Sequence, residues 1–176
     1  AGKGESTTFL YNALKDKYCI ETVIIEDKES VRKFVKRRII KNGLLWVIDQ
    51  IIFQLTIPKI LRYTSKKRIN KLKKELQLSD TPIETNKLYF VTSVNDERCL
   101  DLLKRYSPDL VIVNGTRIIS KRIINSINSI FINSHVGITP EYRGVHGAYW
   151  ALANNQPELC GVTIHIVDEG IDTGKI

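Results

Sequence analysis

Cysteine and methionine are scarce in this chain of 176 residues. It has three cysteines, Cys19, Cys99 and Cys160, and no methionine. Three cysteines this far apart exclude a disulfide framework and a cysteine-ligated zinc site, and the three histidines lack the spacing of metal ligands. We therefore expect no metal, and we take the thiols to be small buried hydrophobic groups in a protein of the reducing cytoplasm.

Long apolar runs are missing as well. Within the most apolar stretch, residues 44–55, the longest uninterrupted run is Leu44–Ile48 with five residues, whereas a helix that crosses a membrane needs about 20. The sequence thus argues against a membrane span. Apolar side chains in this stretch recur at the spacing of one helix face, which predicts a helix packed on a core through Leu45, Ile48, Ile52 and Leu55.

Positive charge is concentrated in one part of the chain, the basic segment between Val31 and Glu75. It contains 14 Lys and Arg residues, opposed by Asp49 and Glu75 alone, so it carries +12 while the remaining residues carry −4. Three interpretations stay open. The charges form a solvated helix face, bind an anionic partner such as nucleic acid or a nucleotide-linked substrate, or meet a membrane surface.

Outside the basic segment, β-rich runs alternate with helical stretches. Continuous apolar strands separated by helices are typical of a mostly parallel sheet. The sequence therefore predicts an α/β fold, an open, mostly parallel, Rossmann-like sheet with helices on both faces. We expect residues 1–176 to form one catalytic domain with a basic helical insert at about 31–78. The predicted strands are Thr22–Ile25, Leu88–Val91, Leu110–Val113, Ser129–Asn133 and Val162–Val167, and the predicted helices are Phe9–Lys17, Asp96–Tyr106, Ser120–Ile127 and His146–Asn154.

Both ends of the chain interrupt this pattern. The glycine-rich turn Ala1–Thr8 has no apolar strand before it, and the chain stops at Ile176 where a further strand begins. We expect the sheet to be incomplete at both ends and the chain to be a piece of a longer protein. Glycines such as Gly2 and Gly4 let the backbone approach an anion, which the free N–H groups of the following helix can bind.

The fourth predicted strand leads into Asn133 and His135. Residues two apart on a strand point to the same side, so an amide and an imidazole lie together at the carboxyl end of a strand, where open α/β sheets bind ligands. An acidic turn, Asp168–Gly174, follows the last predicted strand. These groups can bind the oxygen of an activated carbonyl and relay a proton from an attacking amine. We expect His165 to be structural, and His146 either caps a helix or faces substrate.

Four short blocks occur in order along the chain, and they are Asn133–His135, Pro140–Gly144, Gly161–Thr163 and Asp168–Gly174. This series resembles the folate-dependent formyltransferase family. The ordered match covers Ile132–Gly174, and a looser one extends to Pro108–Gly115 and to the opening turn. The segment from about Val31 to Leu78 shows no counterpart in the family's common core.

The resemblance implies roles for individual residues. Asn133 would polarise the formyl oxygen, His135 would stabilise the developing charge and assist proton transfer, and Asp172, rather than Asp168, would be the catalytic carboxylate. The implied co-substrate is 10-formyltetrahydrofolate. The residues implied in binding it are Arg117, Ile118, Ile119, Val167, Asp168 and Glu169, and those implied in binding the amine substrate are Gly2, Gly4, Ser6 and Arg143.

The acceptor is less well defined, because the loop Val136–Pro140 departs from the Ser-Leu-Leu-Pro of many relatives. Arg143-Gly144 resembles the tRNA and sugar branches of the family. We expect transfer to a primary amine on a nucleotide-linked sugar, since the basic segment suits a pyrophosphate. The alternatives are transfer to methionyl-tRNA, whose backbone also suits that segment, hydrolysis of the same co-substrate, and a non-catalytic anion-binding module of the same fold.

Overall fold

The structure is a computed structural model of the chain. It describes residues 1–28, 35, 39–40, 43–83, 86, 88–144, 146–170 and 172–176, and for residues 44–50 and 54 the backbone alone. Two compact units make up the chain, Ala1–Asp27 with Pro82–Ile176, and Lys28–Thr81. Of the Lys and Arg residues of the basic segment, those outside the described ranges are Arg32, Lys33, Lys36, Arg37, Arg38 and Lys41.

The first unit holds the strands. β1 (Val23–Glu26) pairs in parallel with β2 (Leu88–Val91), and β3 (Leu110–Val113) pairs in parallel with β4 (Ile130–Val136). Valine and isoleucine are common in these strands because branched side chains pack well on a pleated surface. β5 (Val162–Ile166) pairs with β4 in the antiparallel direction. The mostly parallel α/β fold predicted from the sequence is confirmed, but the described strands form two sheets, β1–β2 and β3–β4–β5, instead of one, and β5 is antiparallel.

β4 is longer than the sequence predicts. It continues past Asn133 to Val136, because His135 pairs with Thr163 and Val136 pairs with Val162 of β5. The apolar pattern breaks at Asn133, so periodicity alone ends the strand too early. The longer strand carries two polar residues of one face, Asn133 and His135, into its carboxyl end.

The first two residues hydrogen bond to β1 and to the residue that follows β3. The Ala1 carbonyl accepts the Glu26 N–H at 2.8 Å, and the Gly2 N–H donates to the Asn114 carbonyl at 2.7 Å. Gly2 must lack a side chain, because a Cβ there would lie 2.2 Å from the carbonyl oxygen of Gly115. The opening turn is thereby held at the carboxyl ends of β1 and β3.

The core of the first unit lies against helix α3 (Glu97–Tyr106), where helices are numbered among those with described bounds. Asp96, the first residue of the predicted helix, is its N-cap. Its carboxylate accepts the Cys99 N–H at 2.8 Å, which satisfies a donor of the first turn that has no partner within the helix. The buried cluster comprises Val91, Val94, Cys99, Leu100, Leu102, Leu103, Val113, Ile123 and Phe131. Residues of the predicted strands and of the predicted helix therefore pack together in one core.

Three further helices belong to this unit, and they are α1 (Glu5–Leu14), α4 (Lys121–Ile124) and α5 (Gly147–Ala153). α1 begins four residues earlier than predicted. The Gly4 carbonyl already accepts the Thr7 N–H at 3.2 Å, so the helix starts directly after the glycine-rich turn. The Thr7 hydroxyl donates back to the Gly2 carbonyl at 2.6 Å and closes that turn.

The second unit contains one long helix, α2 (Leu44–Glu75), with Pro58 inside it. None of its described side chains is buried, and Ile52 and Leu55 are 56% and 58% exposed. The prediction that they pack on a core is wrong, because helical spacing determines which residues share a face and not whether another element covers that face. The side chains of Leu45 and Ile48 lie outside the described residues. No described helix is long and apolar enough to cross a membrane.

The three thiols differ in burial. Cys99 is buried as predicted, whereas Cys19 and Cys160 are exposed and contradict the prediction. Each of the exposed residues lies outside the helices and strands. Burial, with a smaller contribution from Asp96, raises the pKa of Cys99 to about 11.

A thiol-reactivity measurement checks this difference. Because the thiolate is the reacting species, Cys19 and Cys160 are expected to react rapidly with a disulfide reagent at pH 8, while Cys99 reacts only after unfolding. Counting released thiolate before and after adding denaturant gives the result, and Cys99→Ala is the control. Three fast equivalents in the native protein would contradict the burial of Cys99.

Candidate active site

β4 places Asn133 and His135 on one face near its carboxyl end. Phe131, one step earlier on that face, is buried in the core. On the neighbouring strand β5, His165 stands opposite Asn133 and Thr163 stands opposite His135. The face shared by β4 and β5 therefore changes from apolar to polar at Asn133.

The carboxylate of Asp172 lies between these side chains. Its Oδ2 is 3.3 Å from His135 Nδ1 and accepts the Gly144 N–H at 2.9 Å, and its Oδ1 is 3.5 Å from Asn133 Nδ2. Asp172 has a φ of 51°, a left-handed conformation that Asp adopts more readily than most residues and that is common at functional sites. The structure thus brings together the three residues that the resemblance marks as catalytic.

Both ring nitrogens of the buried His135 have partners. Nε2 lies 2.7 Å from the Tyr142 carbonyl oxygen, and Nδ1 faces Asp172. A carbonyl oxygen can only accept, so Nε2 carries a proton, and Nδ1 lies 3.3 Å from the Asp172 carboxylate. Gly137 allows this approach, because a Cβ there would lie 2.6 Å from the Tyr142 oxygen.

A second histidine contacts the same carboxylate. His165 is 4% exposed, and its Nε2 is 3.3 Å from both Asp172 Oδ1 and Asn133 Nδ2. The sequence analysis missed this position and treated His165 as structural. The available signal was its alternation with Thr163 on β5, which places both on one face. That face becomes the site only when β5 pairs with β4.

Asp168, in the same turn as Asp172, faces solvent. Its carboxylate accepts hydrogen bonds from the Thr173 hydroxyl at 2.7 Å and the Gly170 N–H at 2.9 Å. These bonds, the one from Thr173 first, hold the pKa of Asp168 below its ordinary value. Asp168 therefore shapes the turn as an ionised group, while Asp172 stands beside His135.

Arg117, marked for cofactor binding, uses its guanidinium within the protein. It donates from Nη1 to Glu26 Oε1 at 3.1 Å and to the Thr92 carbonyl at 3.0 Å, and from Nη2 to the Asp27 carbonyl at 3.0 Å. The buried Glu26 also accepts the backbone N–H groups of Arg117 and Val94, each at 2.9 Å. We call this set the Glu26 clamp. It ties the loop after β3 to the ends of β1 and β2.

The other residues marked for cofactor binding lie in two neighbouring loops. Ile119 and Val167 pack against the same core cluster, and an ion pair joins Lys121 at the start of α4 to Glu169 in the acidic turn. Ile118 is 66% exposed. An exposed apolar side chain beside two adjoining loops suits a flat aromatic ligand such as a pterin.

The opening turn carries the residues marked for substrate binding, Gly2, Gly4 and Ser6. Gly4 and Ser6 are exposed. Asn114, directly after β3, donates to the Thr7 hydroxyl at 3.1 Å and to the Ser6 hydroxyl at 3.3 Å. Asn114, which the sequence analysis did not single out, therefore holds the opening turn against the loop that contains Arg117.

The fourth residue marked for substrate binding, Arg143, is exposed. It precedes Gly144, whose N–H binds the Asp172 carboxylate, so Arg143 is one residue away from that contact. His146 occupies the N-cap position of α5 with φ 64° and makes no side-chain capping bond. Among the contacts of the described residues, none joins His146 to the Asp172 carboxylate.

The arrangement as a whole offers an amide, two imidazoles and one carboxylate at one edge of the sheet. Such groups supply hydrogen-bond donors for an oxygen that gains negative charge and acceptors for the proton of an amine. Among the described residues, no three His, Cys, Asp or Glu side chains are placed to hold a metal ion.

Comparison with known proteins agrees with the sequence resemblance. A family model described as formyl transferase matches residues 53–176, more than two thirds of the chain. The match begins inside α2, so it includes part of the segment for which the sequence showed no counterpart.

The methionyl-tRNA formyltransferase of Finegoldia magna is 38% identical over 85 residues, which are 48% of this chain and 27% of that protein. The enzyme of that name from Clostridioides difficile is 33% identical over 101 residues, 56% of this chain and 32% of that protein. The chain thus matches about a third or less of the length of these curated relatives.

Solved structures show the same fold. The phosphoribosylglycinamide formyltransferase of Streptococcus pneumoniae superposes with a TM-score of 0.55 and 21% identity, over 99% of this chain and 74% of that one. The corresponding enzyme of Bacillus halodurans gives 0.52 and 17%, over 98% and 70%. Together with the family model, the fold shows that the chain belongs to the formyl transferase family.

Proposed function

We propose that the protein transfers a formyl group from 10-formyltetrahydrofolate to a primary amine. The observation that carries the proposal is the convergence of Asn133, His135 and Asp172 at the carboxyl end of β4, in a chain of the formyl transferase family. When bound, the co-substrate supplies an activated formyl carbon. The residues of the protein orient the reacting groups and move a proton.

Asn133 is the first donor to the formyl oxygen. Its amide nitrogen lies 3.3 Å from His165 Nε2 and 3.5 Å from Asp172 Oδ1. The longer contact is at the outer limit of a hydrogen bond, so a formyl oxygen displaces it most easily. One N–H then stays with His165 while the other donates to the oxygen as its negative charge develops.

His135 and Asp172 act as a pair. The His135 Nε2–H donates to the Tyr142 carbonyl at 2.7 Å, so it becomes the second donor to the formyl oxygen only when the bound co-substrate displaces that contact. The attacking amine must lose a proton, which Asp172 accepts directly or through water, and the nitrogen of the co-substrate would take up a proton as its bond to the formyl carbon breaks. The Gly144 N–H keeps the carboxylate in place during this step.

The co-substrate is assigned to the two adjoining loops. Ile118 and Ile119 on one side, and Val167, Asp168 and Glu169 on the other, frame the edge of the sheet beside the catalytic groups. The Glu26 clamp holds the first of these loops, so the contribution of Arg117 is to fix its shape. The support for this assignment is the adjacency given by the Lys121–Glu169 ion pair.

The acceptor is assigned to the opening turn and Arg143. The first turn of α1 offers backbone N–H groups to an anion, and Arg143 is an exposed cation that precedes the Asp172 contact. A primary amine on a nucleotide-linked sugar fits this chemistry, because its pyrophosphate can bind such groups while the amine reaches Asp172. Gly2, Gly4 and Ser6 are the residues of the turn that face it.

The amino group of methionyl-tRNA is a second candidate acceptor. Two observations favour it, the names of the curated relatives and the exposure of basic side chains along α2. Between Ile51 and Lys74 this helix carries no acidic residue, and a phosphate backbone is attracted to such a surface. The basic residues are Lys59, Arg62, Lys66, Lys67, Arg68, Lys71, Lys73 and Lys74.

A tetrahydrofolate-release assay tests the proposal. The protein is mixed with 10-formyltetrahydrofolate, with and without a set of amines that includes an amino sugar nucleotide and charged initiator tRNA. We expect release that depends on the amine and a formamide in the product. Release without any amine would identify a hydrolase, and no release with any acceptor would contradict formyl transfer.

Salt dependence separates the two acceptors. Binding of tRNA through α2 is expected to weaken steeply between 50 and 200 mM salt, by about 10³-fold for six phosphate contacts. Binding of a nucleotide sugar engages two phosphates and is expected to weaken far less. A paired charge reversal, Lys67→Glu with Lys71→Glu, should impair formylation of tRNA and leave that of the sugar unchanged. Equal loss on both would contradict a tRNA role for α2.

A further inference from the structure

We propose that His165 is a positioning residue of the formyl-transfer site, which sets the orientation of the Asn133 amide and anchors the Asp172 carboxylate. This inference rests on the proposed function. It extends the site beyond the three residues that the resemblance marks.

The geometry places His165 against both groups at once. Its Nε2 is 3.3 Å from Asn133 Nδ2 and 3.3 Å from Asp172 Oδ1, whereas His135 faces the other carboxylate oxygen, Oδ2. The side chain of His165 is 3% exposed and that of Asp172 is 14% exposed. Since water has little access there, Nε2 must find its hydrogen-bond partner within the protein, in Asn133 or in Asp172.

The backbone fixes the tautomer of the ring. His165 Nδ1 lies 2.9 Å from the Ile166 carbonyl oxygen, which can only accept. In the neutral ring Nδ1 therefore carries the proton and Nε2 is an acceptor. An acceptor at this place binds the amide nitrogen of Asn133 rather than its oxygen, so the N–H₂ group is held in the site. The second N–H then points away from His165 and is available to the formyl oxygen.

When His165 Nε2 is protonated, the ring stays in the same position but binds Asp172 instead of Asn133. The protonated ring donates to Asp172 Oδ1, so the carboxylate is held between His165 and the Gly144 N–H at 2.9 Å on Oδ2. In either state one ring determines the position of a reacting group. Misplacing such a group by about 1 Å can cost about 10² in rate.

Matched substitutions test the inference. His165→Leu keeps much of the volume and removes the polar contact, whereas His165→Gln keeps a donor and an acceptor near the Nε2 position. Ile164→Thr, on the exposed face of the same strand, is the control. We expect kcat to fall about 10²-fold in His165→Leu, with little change in the KM for 10-formyltetrahydrofolate. In His165→Gln we expect kcat to be at least ten-fold higher than in His165→Leu. The control should keep the activity of the parent protein.

A readout without turnover accompanies the kinetics. In a crystal structure of His165→Leu we expect the distance between Asp172 Oδ2 and His135 Nδ1 to exceed 4 Å, and in His165→Gln to stay near the parent value of 3.3 Å. If the parent protein releases no tetrahydrofolate, the proposed function fails while the crystallographic comparison still decides whether His165 positions the carboxylate. Unchanged kcat in a folded His165→Leu protein, or an unmoved Asp172, would overturn the inference. An equal loss of kcat in His165→Gln and His165→Leu would also overturn it, because the glutamine amide should still be able to hold Asn133 and Asp172 in place.

Discussion

Replacing Asp172 by Asn is expected to lower kcat by about 10²–10⁴, the range for loss of a general acid–base group, while the KM for 10-formyltetrahydrofolate changes little. An asparagine side chain cannot accept the amine proton, and its neutral amide no longer places a negative charge 3.3 Å from the His135 ring. The loops assigned to the co-substrate do not depend on this carboxylate. Asn133→Ala is also expected to lower kcat, by about 10²–10³, since it removes one hydrogen-bond donor to the formyl oxygen.

The matched control is Asp101→Asn, the same chemical change at an exposed position of α3. Steady-state kinetics with varied co-substrate, and circular dichroism to verify folding, complete the measurement. Turnover near that of the parent protein in Asp172→Asn would show that the acidic turn serves structure or ligand binding instead of proton transfer.

Replacing Glu26 by Ala is expected to lower the free energy of unfolding by about 3 kcal/mol, because breaking a buried ion pair leaves its partner charge uncompensated. Glu26 is 5% exposed, and its carboxylate accepts from the Arg117 guanidinium and from the N–H groups of Arg117 and Val94. The Arg117 side chain is 36% exposed, so water can solvate its guanidinium in the variant and reduce the loss of stability. The expected destabilisation therefore lies at the low end of the range for such pairs.

Glu97→Ala provides the matched control. Glu97 also pairs with an arginine, Arg122, but the two side chains are 73% and 49% exposed, and exposed pairs contribute about 1 kcal/mol or less. Urea unfolding followed by circular dichroism compares the two variants. Equal destabilisation by Glu26→Ala and Glu97→Ala would contradict a structural clamp at Glu26.

The elements of the sheet and the site motif could be predicted from the sequence because each depends on local patterns. Apolar runs identified all five described strands, and the spacing of Asn133 and His135 placed them on one face. The Asp96 cap followed from the residue type that satisfies a free helix N–H. Local pattern also misplaced boundaries, since β4 extends to Val136 through pairing with a strand that lies far along the chain.

Contacts between distant residues could not be predicted in the same way. Glu26 and Arg117 are 91 positions apart, and neither stands in a motif that predicts a buried ion pair. In the sequence His165 is one polar residue of an apolar strand, and only the antiparallel register puts it opposite Asn133. The exposure of Ile52 and Leu55 likewise depends on what surrounds α2, which helical periodicity does not reveal.

The most direct test of formyl transfer at this site is a crystal structure of the protein with a stable, non-transferable analogue of 10-formyltetrahydrofolate. We predict that the atom in the place of the formyl oxygen lies about 2.7–3.1 Å from the Asn133 amide nitrogen and from a ring nitrogen of His135. The pterin is expected between the loop containing Ile118 and Ile119 and the turn containing Asp168. An analogue bound with its formyl equivalent on another face of the sheet, away from Asp172, would contradict formyl transfer by these residues.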